Sequence, residues 1–384
     1  MTAEIAILNK SAVALAADSA LTVGYGDELK TYHTHKLFRL SEVNPVGVMI
    51  YNNANLLTAS WETIIKDYRK KKGDQTFDHL FDYGNDLLSY LQDNDFYFPE
   101  DVQDHQAVRD ILLGFIFLRD VIDDAIMTLG KKVSLADITN VLQAFIESTF
   151  DALDKAPTPG YAADHKWKVF SRYAGAIDLL ITQVFQTLPL TPALRKKLRR
   201  IGLLVLLAPN KLTGDYTGLV VAGFGAQDLH PSIQAFQIHS VVLGKLRWTT
   251  EMTYQIKFGQ EAVIRAFAQK EVVQGFMNGI RPDVGHSMIS SIRTQFDDYN
   301  NSVLKALPKM SAKNRALVKD AMEKGKESFE TELSNEMQVF AHKYISNPVV
   351  RAVAVLPKEE LATMAETLVN LTPLGGESLW TWKR

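Results

Sequence analysis

His33-Thr34-His35 would set two imidazoles on one face of a strand, the arrangement of a metal pair. No third ligand follows at a recognisable spacing, so no metal site is expected there. Asp120, Asp123 and Asp124 lie in an apolar helical stretch and resemble the carboxylate clusters that hold magnesium. A single cluster with no second reads instead as a solvated helix face. Two basic runs, Lys70-Lys71-Lys72 and Arg195-Lys196-Lys197 with Arg199-Arg200, are expected at helix ends, where cations offset exposed carbonyls. Gly223-Phe224-Gly225 lacks the Gly-Lys-Ser/Thr that would make a phosphate loop. Met252, Phe258, Phe267 and Phe276 read as core residues rather than as a cofactor box. The chain has no cysteine, which excludes thiol nucleophiles, disulfides and cysteine-held zinc. A net charge of −2 offers no electrostatic reason for a nucleic-acid or anionic-membrane partner.

Positioning of any such chemistry depends on the elements. The first fifty residues read as strands: 3–8 and 12–17 joined by Asn9-Lys10, a loop at Gly24-Tyr25-Gly26-Asp27, then 36–40 and 47–51 separated by Asn44-Pro45. From Asn52 the period changes, and Leu56, Leu57, Trp61, Ile64, Ile65 and Tyr68 fall on one helical face. Residues 77–200 are helical almost throughout, with helices expected over 111–129, 135–153 and 167–188. Strand character returns at 203–207, 218–224, 233–243 and 247–255; helices are expected from 260 to about 344 and over 357–371. Periodicity supports an α+β fold. Two sheet-forming halves, 1–74 and 201–384, with helices outside suggest a four-layer α/β/β/α sandwich carrying an all-helical insertion at 75–200.

Three stretches carry a resemblance: the opening Met1-Thr2-Ala3-Glu4-Ile5-Ala6-Ile7-Leu8, the phrase Leu15-Ala16-Ala17-Asp18-Ser19, and Lys36-Leu37-Phe38-Arg39-Leu40. Together they resemble catalytic proteasome subunits and their bacterial relatives, which are N-terminal-nucleophile (Ntn) hydrolases. In that family a threonine at the mature N-terminus begins the first strand, an acidic residue closes the second, and a lysine precedes an apolar pair. Asp18 lies sixteen residues after Thr2, the family's interval; Lys36 lies eighteen after Asp18, about two more than usual. The likeness is strong over 2–70, weaker over 218–250, and absent over 75–200. It implies Thr2 as nucleophile, Asp18 and Lys36 as its partners, and the backbone N–H of Asn52 as oxyanion donor where the family usually has glycine. The family's later serine and aspartate have no assignable counterpart, and Gly375-Gly376, like a family turn before the last strand, leaves only eight residues after it.

The chemistry makes sense of these residues. A threonine hydroxyl needs an adjacent base, and an α-amino group freed by removal of Met1 has a reference pKa near 8. Lys36 would lower the pKa of the nucleophilic system or take the proton itself, with Asp18 holding it charged and oriented. The reaction implied is cleavage of a peptide or small amide through an acyl-enzyme on Thr2, with no cofactor. The other reading is a catalytically silent scaffold that self-assembles and binds partners through 75–200; related subunits form rings, so a homo-oligomer is expected in either case. The opening residues lack a secretory signal, and the longest apolar run, 201–208, is far short of the ~18 residues of a membrane span, so a cytoplasmic protein is expected.

Overall fold

The computed structural model describes residues 3–18, 20–25, 28–33, 35–130, 133–156, 163–208, 216–259, 261–308 and 310–371. Thr2, Thr34 and Gly375-Gly376 lie outside them. The fold is α+β. In chain order it begins with strands β1 (Glu4–Asn9), β2 (Val13–Ala17), β3 (Ala20–Tyr25), β4 (Glu28–His33), β5 (Leu37–Arg39), β6 (Val46–Tyr51), β7 (Asn55–Leu56) and β8 (Ala59–Ser60). Helices α1 (Trp61–Lys72), α2 (Leu80–Asp93), α3 (Glu100–Thr128), α4 (Leu135–Asp154), α5 (Ala163–Phe185) and α6 (Pro192–Leu207) follow. Strands β9 (Thr217–Gly223), β10 (Ser232–Val242), β11 (Lys245–Gln255) and β12 (Ala262–Ala266) come next. The chain then forms α7 (Glu271–Asn278), α8 (Pro282–Ala306), α9 (Ala312–Ala341), a π-helical turn (His342–Ser346), α10 (Asn347–Ala354) and α11 (Lys358–Leu371). It divides into two compact units, Met1–Thr34 with Gln255–Arg384, and His35–Tyr254.

In the first unit β1 is the centre of a three-stranded antiparallel sheet ordered β12-β1-β2. Ile5, Ile7, Ala14, Ala16 and Ile264 share a core with Val353 of α10 and Leu361, Ala365 and Leu368 of α11. Asn9, fully buried, organises the turn after β1: its Oδ1 accepts the N–H groups of Ser11 and Ala12, each at 3.0 Å. Its Nδ2 donates to the carbonyls of Val353 (3.1 Å) and Leu356 (2.8 Å), at and just beyond the end of α10. β3 and β4 pair antiparallel, so Gly24 and Tyr25 of the expected loop are strand residues opposite Leu29 and Glu28, while Gly26 and Asp27 lie outside the described residues. Helix was expected from 260, yet 262–266 is a strand. Val263 and Ile264 are β-branched and find an open ladder on β1, which decides the matter over local period.

In the second unit the sheet order is β11-β10-β9-β6-β5. Val46, Val48, Ile50, Leu219, Val221, Phe236 and Ile238 face Trp61, Ile64, Ile65 and Tyr68 of α1 and Tyr83, Leu87 and Leu91 of α2. α2 therefore belongs to the sheet's core, and α3–α6 build a separate one from residues such as Ile111, Phe115, Leu142, Ile146, Ile177, Ile181, Leu198 and Ile201. The strand expected at 203–207 is the last part of α6, a correction to the reading from sequence. An unbroken apolar run has no period, so it cannot distinguish a buried strand from a buried helix. The Thr191 hydroxyl caps α6 at Leu194 N (3.3 Å), Pro192 occupies its first turn, and the ladder continues to Leu207.

Arg247 on β11 joins the helical core to the sheet. Its side chain is 1% exposed and makes an ion pair with Asp110 of α3 at 3.1 Å. It also donates to Ser240 Oγ on β10 (3.0 Å) and to the carbonyls of Val205 (2.5 Å) and Ala208 (2.7 Å) at the end of α6. Removing it would leave a buried carboxylate and two helix-end carbonyls without this cation. Arg247→Ala is therefore expected to cost about 3–5 kcal/mol in a denaturant melt, against under about 1 kcal/mol for Arg199→Ala, whose partner Asp178 is exposed.

The start of α2 is held by Asp228, whose side chain is 2% exposed. Its carboxylate accepts the N–H groups of Leu80 and Gly225 and meets His79 Nδ1, all at 2.8 Å. Burial pushes the Asp228 carboxyl up, but the His79 contact and the two N–H donors outweigh it, and the pKa is lowered. The hydrogen bond to Asp228 raises His79 above its ordinary value. A lowered carboxyl contributes stability that is lost as pH falls through its folded pKa; a raised imidazole contributes stability lost as pH rises through its folded pKa. Melting temperature is thus expected to plateau between the two, and His79→Asn should selectively remove the fall on the alkaline side of about pH 6.5.

Candidate active site

The β1–β2 register brings Asp18 to the start of the chain. Glu4 stands opposite Ala17, and the next step outward is closed by the Asp18 N–H donating to the Ala3 carbonyl at 2.9 Å. Asp18 therefore lies across the ladder from the residue that follows Thr2; Thr2 itself is outside the described residues. The Asp18 residue is half-buried. Glu4, 1% exposed and two residues from Thr2, is an acidic group that motif matching passed over. A glutamate in the otherwise apolar run Ala3–Leu8 was the signal that could have found it.

Lys36 and Asn52 come together in the second unit. The Ile50 N–H donates to the Lys36 carbonyl at 2.9 Å, extending the β5–β6 ladder one step beyond Leu37↔Met49. Lys36 is thereby set opposite Ile50, two residues before Asn52, and is buried at 8% exposure. Asn52 leaves β6 with φ +66°, in the left-handed region that asparagine enters more readily than most non-glycine residues. The Asn53 N–H closes a tight turn onto the Tyr51 carbonyl at 3.0 Å. Among the described residues the Asn52 N–H takes no backbone partner. Asn52 thus adopts a glycine-like conformation, with its amide off the ladder. Asp18 is in one unit and Lys36 with Asn52 in the other.

A cluster that no spacing signalled lies at the same end of the second sheet. The Tyr51 hydroxyl donates to the Glu251 carboxylate on β11. The Tyr51 ring meets Tyr216 edge-on at 6.1 Å, and Tyr216 meets His239 of β10 at 6.0 Å. Tyr51 crosses the sheet because its partner on β9 is Gly218: a Cβ there would fall 1.9 Å from the Tyr51 ring. Tyr51 on β6 is far in sequence from Tyr216, Gly218, His239 and Glu251, which lie just before or on the consecutive strands β9, β10 and β11, so the sheet register brings them together.

The other sequence candidates resolve individually. β4 ends at His33, and His35 is exposed beyond Thr34. Asp123 pairs with Arg119 at 2.7 Å, and among the described residues no three His, Asp or Glu side chains are placed to hold a metal ion together. Lys70, Lys71 and Lys72 occupy the last turn of α1 as expected. The run at 195–200 corrects that expectation: it lies in the first half of α6. There Lys197 pairs with Glu147 (2.5 Å), Arg199 donates to Asp178 (2.7 Å) and Arg200 approaches Asp154 (3.5 Å). Neighbouring carboxylates, not helix-end carbonyls, answer these cations. Of the proposed core aromatics, Phe267 is buried at 3% exposure, but Phe258 is 91% and Phe276 42% exposed.

No protein-family model, no curated protein and no solved structure matches this chain. Gly218→Ala is expected to displace the Tyr51 ring, release Glu251 and cost about 1–3 kcal/mol by overpacking, measured as a lowered denaturation midpoint with altered near-ultraviolet circular dichroism.

Proposed function

We infer that the chain is a threonine amidohydrolase of the proteasome-like Ntn type. After removal of Met1, Thr2 attacks a peptide or small amide carbonyl and forms an acyl-enzyme, which water then hydrolyses. The observation that carries this reading is the β1–β2 register, which sets Asp18 across from Ala3, one residue from Thr2. Buried Lys36 and the off-ladder amide of Asn52 at one end of the second sheet support it, since the chemistry needs a cation near the nucleophile and a donor for the developing oxyanion. The reading takes the two sheets as the inner layers of a four-layer α/β/β/α sandwich. Strands β1, β6 and β9 support that architecture, because they are buried along nearly their whole length, on both faces. It uses no cofactor, and it fits a cytoplasmic enzyme.

A second reading, a silent scaffold binding partners through its helical portion, is favoured by large apolar side chains left open on α5, where Trp167, Phe170 and Leu179 are 68%, 40% and 58% exposed.

The deciding measurement is the intact mass of protein purified from its native cell, before and after a peptide epoxyketone, which bonds both the hydroxyl and the free amine of an N-terminal threonine. The expected result is loss of Met1 and gain of one inhibitor mass, with no gain in Thr2→Ala and at least about 100-fold slower labelling in Lys36→Ala. Thr2→Ala protein that retains full activity on a substrate cleaved by the wild type would overturn the enzyme reading. Retained Met1 with no labelling would favour the scaffold.

A further inference from the structure

Asn278-Gly279 is the only Asn-Gly pair in the sequence. Asn278 is the last residue of α7, and Gly279 follows it in the left-handed region with φ +75°. Both residues are exposed. Among the described residues the Asn278 carboxamide makes no hydrogen bond, and the Gly279 N–H takes no backbone partner. The Asn278 carbonyl has no helical donor either, because the residue four places on is Pro282, which has no N–H. The peptide group between the two residues is therefore held by no helical hydrogen bond. Just before it the chain is fixed: the Met277 carbonyl accepts the Ser346 hydroxyl at 2.6 Å, and Val273 shares a core with Ile5, Val353 and Leu361.

Rotation about the Asn278 ψ angle brings the Gly279 nitrogen to the electrophilic Cγ of the Asn278 side chain. Here that rotation breaks no helical bond. Glycine favours the approach, because it has no Cβ to shield its nitrogen. Other asparagines are held back. Asn300 and Asn301 lie within α8, where the same rotation would break the helical ladder. The Asn53 N–H, which would attack Asn52, is engaged by the Tyr51 carbonyl at 3.0 Å. Asn9 is fully buried, with its amide group donating to Val353 and Leu356.

We propose that Asn278-Gly279 is a self-modifying site, at which the asparagine is converted to aspartate and isoaspartate with water as the only co-reactant. The Gly279 nitrogen gives its proton to solvent and forms a bond to Asn278 Cγ. The Cγ–Nδ2 bond then breaks, and the side-chain nitrogen leaves as ammonia with a proton from water. Water reopens the resulting succinimide at either carbonyl. Opening at the backbone carbonyl yields aspartate's isomer, in which the chain runs through Cγ and is one methylene longer. Either product sets a carboxylate at the C-terminal end of α7, where the helix dipole disfavours an anion. The last turn of α7 is loosened as a result. The modification is independent of any chemistry at Thr2.

The test incubates the full chain in warm, mildly alkaline buffer, beside the same chain unfolded in urea and a folded Asn278→Gln variant. Peptide mapping with electron-transfer fragmentation reads each asparagine and separates aspartate from isoaspartate. In the folded chain Asn278 should convert ahead of every other described asparagine, at no less than about one-tenth of its rate in the unfolded chain. Both products should form, and the converted fraction should be cut faster at the end of α7 in limited proteolysis. Asn278→Gln, whose side chain would have to close a larger and slower ring, should stay unmodified at that position while keeping the wild-type circular dichroism. Slower conversion of Asn278 than that, or earlier conversion of another described asparagine, would overturn the proposal. Aspartate without isoaspartate would overturn it too, since the side chain would then be hydrolysed without help from Gly279.

Discussion

The buried guanidinium of Arg247 is the constraint around which the second unit is arranged. It sits on β11, yet its partners come from β10, from α3 and from the last carbonyls of α6. A charge so completely removed from water is tolerable only when its donors are matched, and here the matching groups are the separate elements that have to be joined. Asp110 fixes α3 against the sheet, and the Val205 and Ala208 carbonyls fix where α6 must stop. Apolar packing alone would let the helical core slide over the sheet at small cost. The ion pair and its hydrogen bonds select one position.

The candidate catalytic positions share a structural logic. Asp18 follows the last residue of β2, Lys36 precedes β5, and Asn52 follows β6. Each stands where a ladder ends, so its backbone is held by the neighbouring pair while its reactive group is released from sheet pairing. Rigid strands carrying chemistry at their ends is a common solution, because the sheet supplies precision and the terminus supplies access. Tyr51 extends the same pattern: it ends β6 and turns across Gly218 toward Glu251, and the tight turn at Asn52 begins immediately after it.

Two helices show how context gives opposite meanings to similar charge. In α6 the cations at 195–200 also sit against the helix dipole, but Glu147, Asp154 and Asp178 on α4 and α5 answer them. In α9, Lys324 and Lys326 are answered within the hairpin, by Asp320 and by Asp297 with Glu323, while Lys313, Arg315 and Lys319 have no ion-pair partner among the described residues. The first arrangement is complete within the chain. Among the described residues, the second is not.

Much of the framework was legible in the residues. Strand-like apolar runs marked β1, β2, β6, β9, β10 and β11, and a 3.6-residue period marked α1 and the long helices. These signals are local, and local backbone preference is what a sequence carries directly. Where the local signal was silent, tertiary structure decided. The apolar 203–207 became helix because α6 was already propagating into a helical core, and 262–266 became strand because β1 had an open edge. The site divides the same way. The family resemblance marked Thr2, Asp18, Lys36 and Asn52 as candidates. Strand register alone set Asp18 across from Ala3, set Lys36 opposite Ile50, and brought Tyr51 of β6 to Tyr216, His239 and Glu251, because pairing between strands depends on contacts that no window of sequence contains.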